Sequence, residues 1–108
     1  MSKPKNNKGE KMSKKKFVVV TTDSTRRGVF GGNLVDHDKT NNRVTLKNAQ
    51  MAVYWSAETR GVLGLAAIGP QKGSKITPPV PSIELDGVTS VMACTDIAEE
   101  QWKKQIWN

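Results

Sequence analysis

Short β-prone runs, each closed by turn-forming residues, recur between Phe17 and Cys94 and confine this chain to a small β-rich architecture. Phe17-Val18-Val19-Val20-Thr21-Thr22 is apolar and β-branched, and Asp23-Ser24 bounds it. Residues 28–36 alternate so that Phe30, Gly32 and Leu34 share one face, while the three glycines of this run predict a bulge or a sharp bend. His37 to Asn42 is turn chemistry throughout. Arg43 to Lys47 alternates with Val44 and Leu46 inward, and Asn48-Ala49 makes a tight connection into a fourth strand at residues 50–55. Asp86-Gly87 marks a hairpin turn between residues 83–85 and 88–94.

The two ends of the β pattern differ in kind. At the C-terminal end, Asp96 is placed as an N-cap with Glu99 three residues on, and Lys103-Lys104 follow late, as the helix dipole favours. A helix over 96–107 results, with Ala98, Trp102 and Ile106 as its apolar stripe. In the middle, Ser56 to Thr59 resembles a helix start and Gly69-Pro70 a helix stop. Val62, Leu63, Ala66 and Ala67 fit a short helical face there, whereas Gly61 and Gly64 oppose it, so residues 56–68 read as helix or irregular loop. Residues 71–82, with prolines at 78, 79 and 81, read as an extended exposed connection with a brief strand around Lys75-Ile76-Thr77. The sum is a mainly β fold, a small antiparallel barrel with a C-terminal helix and room for a short central one.

With 108 residues there is room for one domain. The formal charge of +7 belongs to one segment. Residues 1–16 hold seven lysines against Glu10, a balance of +6 that leaves +1 for the rest of the chain. Residues 1–16 have no apolar side chain except methionines, so a disordered basic arm is expected, either solubilising or loosely associated with an acidic surface or nucleic acid. Met12-Ser13-Lys14 repeats the opening Met1-Ser2-Lys3, so translation from Met12 is an alternative start. The domain proper is then 17–108, with an insertion at 56–82 and the helix at 96–107. No run approaches a membrane span, and the single Cys94 excludes a disulfide within one chain, which suits the cytoplasm. Cys94 itself reads as a small buried hydrophobe.

A five-residue phrase occurs twice with one change, as Arg27-Gly28-Val29-Phe30-Gly31 and as Arg60-Gly61-Val62-Leu63-Gly64. Each sets a guanidinium beside a glycine, where backbone can approach a ligand, and each is equally a tight turn. Tyr54, Trp55 and Arg60 form the leading constellation. Adjacent strand aromatics point to opposite faces, so one is core-directed and the other offers a surface for a base, with Arg60 as a phosphate grip. The alternative is that Trp55 caps the core and Arg60 neutralises Glu58. Arg26 and Arg27 are a second grip or a solvated turn near Asp23, and Lys72 and Lys75 either close over an anion or keep a loop soluble. Trp102 and Trp107 read as docking residues. His37, Cys94 and scattered acids leave no nucleophile–base pair and no complete metal set, so neither an enzyme nor a cofactor is expected.

Residues 27–49 resemble the first signature of Sm-like and Hfq-like proteins. Gly28, Phe30, Gly32, Leu34, Asp36, Asn42, Val44, Leu46 and Asn48-Ala49 hold its places. Residues 83–95 resemble the second signature weakly, and residues 56–82 replace the family's short spacing. The resemblance implies an SH3/Sm-like barrel, with Lys47 and Asn48 in the loop that binds bases. From Phe17 onward the chain is also similar to small proteins encoded by bacteriophages and prophages, through Val-Val-Val-Thr-Thr, Met-Ala-Val-Tyr-Trp and Gly-Val-Thr-Ser-Val. This similarity implies an infected bacterial host, where small oligomeric proteins block host defence. The expected function is a non-catalytic homo-oligomer that sequesters a nucleotide-derived immune signal. The alternatives are an Sm-like protein binding RNA or single-stranded nucleic acid, and a virion or assembly protein whose arm contacts nucleic acid.

Overall fold

The computed structural model describes residues 16–23 and 28–107. The basic arm expected at residues 1–16 therefore lies outside the described residues except for Lys16, as do Arg26 and Arg27. Six strands and two helices follow in order: β1 (Lys16–Thr22), β2 (Val29–Asp38), β3 (Arg43–Tyr54), a 3-10 turn (Ala57–Thr59), α1 (Gly61–Ala67), β4 (Lys75–Ile76), β5 (Val80–Leu85), β6 (Val88–Ala93) and α2 (Asp96–Lys104). The domain is mainly β, as its short runs predict. All six strands join one antiparallel sheet in the order β4-β3-β2-β1-β6, and β5 also pairs with β3.

Residues 83–94 form no hairpin, although the turn at Asp86-Gly87 is real. β5 pairs with β3, through Val44↔Leu85, and β6 pairs with β1, through Thr22↔Val88. In a flat sheet these strands would stand four spacings apart, about 19 Å. Leu85 and Val88 are three residues apart, a span of about 11 Å at most. The sheet therefore curls until its edges meet at this corner. The corner is tied on both sides, since Asp23 N–H donates to the Gly87 carbonyl and Val88 N–H to the Asn42 carbonyl. Arg43 Nε reaches Asp86 across it at 2.7 Å.

Curling gives β1 two buried faces. Val18 and Val20 point into the roll with Val44, Leu46, Ala49, Leu85 and Val88, and Phe30 and Leu34 of the alternating second run pack against them. Phe17 and Val19 point outward and are covered by a helical layer, with Ala52, Ile76, Leu65, Ala66 and Trp102. Trp102 is fully buried, its ring 5.9 Å from that of Phe17, and its indole N–H donates to the Leu65 carbonyl at 3.0 Å. That bond joins α2 to α1 and fixes both against the sheet.

Further expectations need correction: the second run stays in strand through Asp38, so the turn is shorter than His37 to Asn42, and the connection expected to run to Ser82 gives way to strand at Val80. The strands placed at 43–47 and 50–55 are one strand, because Asn48 adopts a left-handed conformation (φ 56° lies at Asn42, φ 52° at Asn48) and inserts a bulge without ending the pairing. The helix placed over 96–107 ends at Lys104, after which Ile106 bridges to Ile76 in parallel. Its N-cap is Thr95, not Asp96, for the Thr95 hydroxyl accepts from Ala98 N–H at 3.0 Å. The central segment is helical, yet it buries Gly64, Leu65 and Ala66, and Leu63 of the expected face stands 72% exposed.

Candidate functional site

The segment between β3 and β4 is held by small hydroxyls. Thr59 is fully buried, and its hydroxyl accepts from Gln71 N–H at 2.9 Å; Ser74 Oγ accepts from Ser56 N–H at 3.1 Å. These bonds staple the 3-10 turn to the loop ahead of β4. With Thr59 pinned inward, the next residue must turn outward, and the backbone does so through two successive left-handed residues, Arg60 (φ 70°) and Gly61 (φ 80°). An arginine in this region carries backbone strain that a glycine would not.

The Arg60 side chain is accordingly exposed, and among the described residues no carboxylate lies within ion-pair distance of it. Glu58 does not neutralise it. Both line an open groove of about 500 Å³, whose other walls are Leu63, Gly64, Ala67 and Ile68. An adjoining hollow of about 320 Å³ is lined by Glu58, Gln71 and Lys72. Arg60 and Lys72 thus flank Glu58, with an apolar wall on the Arg60 side.

The aromatic pair behaves as alternation requires, through a second irregularity in β3. Ala52 faces Ile76, but two residues later Tyr54 faces Lys75, so β3 gains one residue over β4 at Val53. This bulge reverses the side-chain phase. Trp55 turns inward and packs against the helical layer, while Tyr54 stands 53% exposed on the same face as Lys75. Trp107 completes that face. Its backbone N–H donates to the Ile76 carbonyl at 2.7 Å, and Lys75 Nζ lies 5.2 Å from the centre of its ring.

Of the expected site residues, the structure pairs Tyr54 with Lys75, while Arg60 and Lys72 line adjoining hollows that share Glu58. Tyr54 lines a separate hollow with Val53 and Trp55, and Trp55 also packs against the helical-layer core. Lys47 and Asn48 are exposed at the other bulge, about 20 Å from Tyr54 measured along β3. Sequence reasoning missed Trp107 as a neighbour of Lys75, and Leu63 and Ile68 as groove walls. The pairing that reveals the first spans 30 residues, in the Ile76↔Ile106 bridge, and nothing local signals it.

The described residues contain no group of three or more His, Cys, Asp or Glu able to hold a metal. Cys94 packs against the helical layer, and burial pushes its thiol up to about 12, so it is protonated at neutral pH and a poor nucleophile. No helix among the described residues is long and apolar enough to cross a membrane.

The chain belongs to a family described as a domain of unknown function (DUF6948), whose model matches residues 15–102. The match spans all six strands and most of α2, so both hollows lie within the family's domain. No curated protein and no solved structure matches it.

Proposed function

We propose that this protein is a non-catalytic binder of a nucleotide-derived small molecule, held in the Arg60 groove. The observation that carries the reading is Arg60 itself, a guanidinium with no carboxylate partner among the described residues, on left-handed backbone at the edge of a groove of about 500 Å³. A phosphate pairs with Arg60, with Lys72 as the second cation beyond Glu58, and the base or sugar lies against Leu63, Ala67 and Ile68. In the phage setting that the resemblance to phage-encoded proteins implies, such binding sequesters an immune signal. The reading includes self-association, for which Ile97, 65% exposed at the start of α2, supplies apolar surface outside the groove.

Calorimetric titration with a panel of cyclic nucleotides and ADP-ribose derivatives tests the reading. One member of the panel is expected to bind, and Arg60→Ala to weaken it by about a hundredfold, the loss of a charge-assisted pair of roughly 3 kcal/mol. Removal of residues 1–11 leaves this binding intact. A panel in which nothing binds, or an Arg60→Ala protein that binds as well as the parent, refutes the assignment.

A further inference from the structure

A second surface, apart from the groove, has its own chemistry. Tyr54 on β3, Lys75 on β4 and Trp107 beyond α2 lie on three adjacent lines of chain at one edge of the sheet. Two strand spacings separate the outer pair, about 10 Å. Both aromatics are half exposed or nearly so, Tyr54 at 53% and Trp107 at 47%. The order across the face is aromatic, cation, aromatic. Neighbouring residues directed to the same side, Met51 and Thr77, bring no carboxylate to it.

We propose that this face is a platform for single-stranded nucleic acid. One base stacks on Tyr54, the next on Trp107, and the phosphate between them meets Lys75, so the row repeats the base–phosphate–base order of the strand. The bulge at Val53 makes the platform, for without it Tyr54 would point to the helical layer and Trp55 outward. Charge favours a long anion over a small one. The hollow beside Tyr54 is only about 230 Å³ and open, and the sequence of residues 1–15 carries six lysines, a charge that favours a polyanion. Stacking and a phosphate contact read no base edge, so binding is tolerant of sequence and selective for unpaired bases.

The test is fluorescence anisotropy of the full chain with a labelled oligothymidylate of about 16 nucleotides, long enough for one binding site. The single strand is expected to bind at least tenfold more tightly than the same sequence in duplex form. Tyr54→Ala and Trp107→Ala should each lower affinity by about tenfold, the loss of one stacked base. Tyr54→Phe and Trp107→Phe, which keep a ring, should restore it. Should an alanine variant fail to fold, Lys75→Glu at its exposed position must still lower affinity by a similar factor. Absence of binding, equal affinity for duplex, or variants that bind like the parent would each overturn the proposal; the last would leave the lysine-rich segment as the binding element. Mononucleotide titration reads the Arg60 groove independently, so the two assignments stand or fall separately.

Discussion

The two Arg-Gly-Val phrases have the same letters and opposite structures. Val29-Phe30-Gly31 enters β2 and pairs at once with Thr21, Val20 and Val19 of β1. Gly61-Val62-Leu63-Gly64 is helix, and what precedes it is a 3-10 turn pinned by Thr59. The first phrase meets an unpaired strand edge; the second leaves one behind. Each ends on a glycine that admits a close neighbour, but the neighbours differ. Gly31 lies under the Trp102 ring, and Gly64 lies on the Thr59 carbonyl. A short motif therefore encodes where backbone must be bare, and its partners decide whether it becomes strand or helix.

The sharpest way to break this comparison is Gly64→Val. A side chain there falls on the backbone of Thr59, which its buried hydroxyl holds in place, so the expected loss is about 3 kcal/mol or more by urea unfolding. Gly31→Ala comes next. Its added carbon would sit 2.9 Å from three atoms of the Trp102 ring, which can shift slightly, and the expected loss is about 2 kcal/mol. An unchanged melting curve for either variant would show that the close approach is not needed. Arg60→Gly has the smallest effect on stability and the opposite sign. Relief of the left-handed strain, worth about 1–2 kcal/mol, is partly offset by the greater freedom of glycine in the unfolded chain. The variant should be equal to the parent or up to about 1 kcal/mol more stable while losing the groove ligand. Destabilisation by Arg60→Gly would mean that the arginine serves the fold.

Much of the sheet was legible because β-branched alternation and turn residues act locally. Phe17–Thr22, the Phe30/Leu34 face and the brief strand at Lys75-Ile76 all appear where the pattern puts them. The continuity of β3 was not legible, since Asn48 serves equally well in a turn or a bulge and only β5, running unbroken along the other edge from Val80 to Leu85, selects the bulge. The end of α2 was hidden for a similar reason. Ile106 fits the helical stripe of Ala98 and Trp102, but bridging to Ile76 draws it into extended chain. In the candidate sites, the sequence grouped Arg60 with Tyr54 and Trp55, whereas the structure sets Arg60 in a groove that Tyr54 does not line.

From the sequence alone follow the β-rich class, the places where backbone must turn and the limit that a strand can bury only one of the adjacent aromatics Tyr54 and Trp55. These follow from steric preferences and two-residue periodicity, which need no distant partner. Tertiary structure alone decided that Tyr54 rather than Trp55 faces outward, that Lys75 and Trp107 join it, and that Arg60 stands apart. Those outcomes depend on register and bulges, where a single extra residue reverses every side chain beyond it, and register is set by the strand alongside.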